Sequence, residues 1–233
     1  MKSTMRALLG LVCLASVALA QKAPVNEDKI KAILNEGLET TMVVIADTSG
    51  SMRDRPQTGG WSSKIDIARG ALSSFVTNLP ADIKLGMITF NGCQPRWVAE
   101  LGKSSNADVA QRAKEMEAHG STPIHLSLEM AFEALKDTRA KNPYARIVIL
   151  LITDGEETCS TPYLVGETAV KIAKAGMELH SIGFDLPSAD SELKRLSTKY
   201  YLASDSKELE AGLSSVQGEL SIDGGVDSVD GTK

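Results

Sequence analysis

The sequence is poor in cysteine, histidine and aromatic residues. Of its 233 residues three are Cys, three His and two Trp, and aromatics make up only 4%. The histidines, His119, His125 and His180, have no zinc-type spacing, so they read as core or surface residues. Past residue 20 no apolar run approaches the ~20 residues that a membrane-spanning helix needs. There is no G-x-S-x-G pattern, which argues against a serine-hydrolase elbow, and no P-loop. Basic charge is also in deficit, 25 Lys and Arg against 30 Asp and Glu, a net charge of −5. Such a balance disfavours nucleic acid or an anionic membrane as the main partner. The apolar content, 42%, is ordinary and excludes a disordered chain.

What is present begins with a charged and then apolar start. Lys2 and Arg6 precede a small, apolar stretch from Ala7 to Ala20 that closes on Ala18-Leu19-Ala20. Residues 1–20 read as a removable signal, which predicts an exported protein, periplasmic or extracellular. Removal of 20 from 233 residues leaves 213, and shifts the charge from −5 to −7 because the signal holds two basic residues and no acid. Residues 21–38 read as an N-terminal extension, 39–220 as one domain and 221–233 as a flexible tail. Cys13 departs with the signal. An even pair, Cys93 and Cys159, in an oxidising compartment reads first as a disulfide. Two unrelated buried thiols are the alternative, and a metal pair lacks a third or fourth soft ligand.

Apolar β-branched runs at 41–47, 84–90, 96–101, 146–153, 178–184 and 200–203 read as strands. Between them lie helical patterns. Ser63-Lys64-Ile65-Asp66 can act as a capping box ahead of a helix that ends at Pro80. Asn106 is the expected N-cap of a helix over 107–117. Thr122-Pro123 opens another helix, with Pro in its first turn, and Thr161-Pro162 a further one, with Leu164, Val165, Ala169, Ile172 and Ala173 inward and Gly176 as cap. A short helix over 188–196 follows, and Asp205 with Glu208 caps the last helix. The alternation predicts an α/β fold: a doubly wound, mostly parallel sheet with one short antiparallel edge strand, 96–101, and helices on both faces. Ligands in such sheets sit at the carboxyl ends of the strands.

Three segments place hydroxyls and carboxylates there: Asp47-Thr48-Ser49-Gly50-Ser51, Gly120-Ser121-Thr122-Pro123 and Asp154-Gly155. Asp47, Ser49 and Ser51 can point into one hollow because the turn alternates its side chains, and Gly50 lets it bend. The set is all oxygen and suits Mg²⁺. It also resembles the metal-ion-dependent adhesion site of von Willebrand factor A domains, whose motif is Asp-x-Ser-x-Ser, a distant Thr and a distant Asp. Asp47, Ser49, Ser51, Thr122 and Asp154 match it in order, and the resemblance covers about 40–217. It implies a Mg²⁺ site, with Mn²⁺ or Ca²⁺ as substitutes, whose vacant position takes a carboxylate from a partner protein. It also implies that Cys93 and Cys159 lie in neighbouring loops on the metal face. Asp54 is similar to the first acid of a second, calcium-type site in integrin-like relatives, but Arg55 stands where they carry another acid, so Asp54 reads as a solvated loop residue.

Ser121, Trp61 and Glu156 are candidate rim residues for the partner. The plainer readings are a packed aromatic for Trp61 and solvated loop for Glu156 and Glu157. Two functions remain: a metal-dependent protein-binding module, which is not an enzyme, and a Mg²⁺-dependent hydrolase or phosphoryl-transfer enzyme using the same ion. The second is similar to aspartyl-phosphate phosphatases, but these need an Asp two residues after the nucleophile, where Ser49 stands. No general base with a tuned pKa stands out either.

Overall fold

A computed structural model describes residues 39–186 and 192–222, without the side chains of 192, 221 and 222. The expected signal, N-terminal extension and tail, and the start of the 188–196 helix, lie outside the described residues.

Six strands form one sheet in the order β3-β2-β1-β4-β5-β6. They are β1 (Thr40–Ala46), β2 (Lys84–Asn91), β3 (Gln94–Ala99), β4 (Arg146–Thr153), β5 (Glu178–Phe184) and β6 (Lys199–Ala203). All pairs are parallel except β2–β3. The helices are α1 (Lys64–Thr77), α2 (Asn106–Lys114), α3 (Ile124–Lys141), α4 (Pro162–Lys174), α5 (Glu192–Leu196) and α6 (Ser206–Ile222), and a 3-10 turn spans Gly50–Arg53. The fold is the doubly wound one that the alternation of apolar runs predicts.

The unbroken apolar strands are the cause of the two-sided packing. Successive side chains point to opposite faces of a sheet. In β1, Met42, Val44 and Ala46 therefore enter one core with Leu72, Phe75 and Leu213 of α1 and α6. Val43 and Ile45 enter the other, with Leu128 and Leu135 of α3 and Ile172 of α4. The winding reverses between β1 and β4, whose carboxyl ends carry Asp47 and Asp154.

Local expectations shift in four places. The edge strand begins at Gln94, two residues early, because Gly92 (φ 61°) and Cys93 close a tight hairpin that pairs Asn91 with Gln94. Ser105, not Asn106, caps α2, in a reciprocal capping box with Asp108, and α2 ends at Lys114. Pro123 is the N-cap of α3 and lies outside its first turn. In α4, Ala173 is exposed and Leu164 half-buried, while Thr168 is buried.

Candidate functional site

β1 is buried along its length and ends in a turn that stays buried. Asp47 is 1% exposed and Ser49 2%, whereas Ser51 reaches the surface. The Asp47 N–H donates to Ile152 O of β4 (2.9 Å), so the turn leaves the sheet in register with the neighbouring strand. Asp47 Oδ1 accepts the Ser49 N–H (2.7 Å) and its Oδ2 accepts the Thr153 hydroxyl (2.6 Å). Ser49 Oγ lies 3.0 Å from Ser51 Oγ, and Ser51 Oγ donates to Asp154 Oδ1 (2.8 Å). Burial and the Asp154 charge push the Asp47 carboxyl up to about 6, against the pull of its bonds from Ser49 and Thr153. Burial, with the Asp154 charge beside it, thus outweighs the donors that favour the ionised carboxylate.

The loop before α3 is bound to this turn through its backbone. Gly50 N–H donates to Gly120 O (2.9 Å) and His119 N–H to Thr48 O (2.7 Å). Thr122 is buried. Its N–H donates to Thr158 Oγ1 (2.8 Å), its carbonyl accepts the Thr158 N–H (3.0 Å), and its hydroxyl faces the Asp154–Gly155 turn. On the far side of Asp154, Lys64 Nζ lies 2.7 Å from Oδ2, and 3.5 Å from Asp185 Oδ2. Burial draws the Lys64 ammonium down, but Asp154 and Asp185 outweigh it and hold it above its ordinary value. Among the described residues no group of three or more His, Cys, Asp or Glu side chains could hold a metal. A cation here would depend on hydroxyl oxygens, and Ser49, Ser51 and Asp154 Oδ1 form a continuous oxygen surface from two loops.

Residues 42–156 match the model of the von Willebrand factor type A domain. The matched residues, just under half of the chain, form a domain of that family. YwmD of Bacillus subtilis, itself uncharacterised, is 28% identical over 180 residues, 71% of each chain. The von Willebrand factor type A protein of Catenulispora acidiphila superposes with a TM-score of 0.63 at 20% identity, over 78% of this chain and 42% of that one. A mussel byssus protein, proximal thread matrix protein 1 with a zinc-occupied metal-ion-dependent adhesion site, gives 0.64 at 18% identity, over 78% and 48%. This chain therefore spans less than half of either structural neighbour.

In this A domain Cys93 and Cys159 are bonded, with Cα atoms 5.4 Å apart. The bridge joins the β2–β3 hairpin to the loop after Asp154. Glu156 is exposed and Ser121 half-buried. Trp61 is not packed: it is 91% exposed, and the Arg55 guanidinium lies 5.6 Å from its ring centroid. Glu157 is not a solvated residue either. Its carboxylate accepts the N–H groups of Cys159, Ser160 and His125 (2.7, 2.9 and 2.6 Å) and so caps α3, whose own N-cap is a proline. Asp54 is exposed. His180 is fully buried beside Glu178 (2.9 Å), and this bond, then Arg146, holds the Glu178 carboxyl down at about 2 against its burial. Sequence reasoning missed Thr153, Lys64 and Asp185. Thr153 adjoins Asp154 at a strand end and was findable there; a lysine at the start of an amphipathic helix gives no signal of burial.

Proposed function

We propose that this A domain is a metal-dependent protein-binding module, exported to the periplasm or the extracellular space, and not an enzyme. Asp47, Ser49, Ser51, Thr122 and Asp154 would hold one Mg²⁺, with Mn²⁺ or Ca²⁺ as substitutes. The supporting observation is the unbroken contact of Ser49, Ser51 and Asp154 next to a buried Asp47 whose carboxyl is pushed up by its burial and then by the Asp154 charge. Hard oxygen donors fit Mg²⁺. The ion would supply a Lewis-acidic position for a carboxylate of the partner protein, which lets an acidic chain bind an acidic segment. Ser49 and Ser51 would bind it as neutral ligands, and Asp47, locked by Ser49 and Thr153, would orient the turn.

Those locks also weaken the phosphoryl-transfer reading, since both Asp47 oxygens are engaged. Trp61 and the exposed Glu156 and Tyr163 lie on segments leading from the carboxyl ends of β1 and β4, and Ser121 lies on the loop between α2 and α3 that bonds to the β1 turn; these residues would form the partner rim. Export is supported by the Cys93–Cys159 bridge. No described helix is long and apolar enough to cross a membrane. Titration calorimetry with Mg²⁺ and Mn²⁺ is the test: one divalent site, lost in Ser49→Ala, is expected. A folded chain that takes up neither ion would overturn the proposal.

A further inference from the structure

The cation already built into the site has no part in the function just proposed. Lys64 is only 7% exposed, and its ammonium is fixed between Asp154 (2.7 Å) and Asp185 (3.5 Å). Both carboxylates are held in turn from their other oxygens. Ser51 donates to Asp154 Oδ1 (2.8 Å), and the Gln57 N–H donates to Asp185 Oδ1 (3.0 Å). Asp185 is also held by its backbone. It has a positive φ of 56°, and its N–H donates to Ala203 O of β6 (2.6 Å). The ammonium is therefore a rigid part of the site wall, not a mobile surface group. It takes the outer oxygen of Asp154 and leaves only Oδ1, beside Ser51, to face the hollow.

Charge decides what this does. Asp47, Asp154 and Asp185 with Lys64 carry a net charge of minus two when ionised, which one divalent ion would neutralise. Without Lys64 the same cluster would bind the ion more tightly but stay anionic, and would repel a second carboxylate. We infer that Lys64 is an internal counter-cation that lowers the site's affinity for its divalent ion and keeps the loaded site attractive to an acidic ligand. This inference rests on the metal reading above. Lys64 is a positioning residue in it: it acts through Asp154 and through its field.

Mn²⁺ affinity, measured by calorimetry on the full chain, tests it with two variants of opposite sign. Lys64→Met should bind Mn²⁺ about tenfold more tightly, the scale set by one buried charge a few ångströms away. Asp185→Asn frees the ammonium to act on Asp154 alone and should bind Mn²⁺ more weakly by a similar factor. Its amide oxygen can still accept the Gln57 N–H, so the fold is kept. Acetate added to the Mn²⁺-loaded protein, followed by water proton relaxation, should compete less well in Lys64→Met than in the wild type. Unchanged or reversed Mn²⁺ affinities, or acetate acting equally on both proteins, would overturn the inference. If Lys64→Met does not fold, Asp185→Asn decides. A wild-type chain that takes up no Mn²⁺ would instead overturn the proposed function itself.

Discussion

Thr153 donates its hydroxyl to Asp47 Oδ2 over 2.6 Å, joining the carboxyl ends of the two central strands inside the molecule. Both residues are buried, and they stand 106 positions apart. With the bond from Ser49, the Thr153 bond favours the ionised carboxylate, which burial and the Asp154 charge oppose. Thr153→Val keeps the shape and removes the donor. It should move the Asp47 carboxyl further up and weaken Mn²⁺ binding roughly tenfold, since a bond to a charged group is worth about 1.5–3 kcal/mol. Carbon-detected NMR titration of Asp47 reads the first effect; an unmoved titration would refute it.

Stability should depend on pH in an unusual sense. Asp47 titrates near 3.8 ordinarily and at about 6 in the fold. Between these values the folded state holds more protons than the unfolded one. This contribution is full below about 4, and stability without metal falls by up to roughly 3 kcal/mol as pH rises to about 6, then levels off. Cation uptake should strengthen over the same range, because a metal displaces the proton. Urea melts at pH 4 to 7, compared with Asp47→Asn, isolate the effect; parallel curves for the two proteins would contradict it.

Asp154→Ala and Ser49→Ala should both abolish divalent-ion binding, but at different structural cost. The first leaves the Lys64 ammonium buried with only the more distant Asp185 for company, and should destabilise by about 3 kcal/mol. The second removes one contact to Ser51 and should cost about 1 kcal/mol. Melting without metal separates them, and equal losses would show that the Lys64 pair contributes nothing.

The Cys93–Cys159 bridge closes a separation of 66 residues, worth about 4 kcal/mol in the chain-entropy model. It also ties the hairpin at Gly92 to the loop beside Asp154. Reduction should lower both the Tm and the Mn²⁺ affinity. Retention of both in reductant would leave the bridge without a role at the site.

Gly120 is a position where only glycine fits. Its φ is +81°, and an added Cβ would stand 2.7 Å from Gly92 Cα, while its carbonyl holds the Gly50 N–H. Gly120→Ala should cost at least about 2 kcal/mol and disturb the Ser49–Ser51 turn. Gly70, inside α1 with open space around it, is the control: Gly70→Ala should stabilise by about 1 kcal/mol. Thermal melts of the two variants should shift in opposite directions.

Much of the molecule was legible without coordinates. The β4 and β5 boundaries follow from their apolar runs, because burial on both faces leaves no polar interruption, and the polar turns that end β1 and β4 placed Asp47 and Asp154 at one edge of a parallel sheet. Helix starts were less certain. Ser105 and Asn106 are both capping residues, and only the reciprocal bonds with Asp108 choose between them.

The order of elements and the strand-end carboxylates were set by local pattern, since periodicity and turn chemistry act over a few residues, whereas the cysteine pair was read from its even count in an oxidising compartment. Tertiary structure alone decided that Lys64 meets Asp154 and Asp185, that Thr153 reaches Asp47, that Glu157 caps α3 and that Trp61 stands in solvent. These contacts join separate elements, and their partners are selected by how helices settle on the sheet. Nothing in the spacing of charges along the chain records that choice.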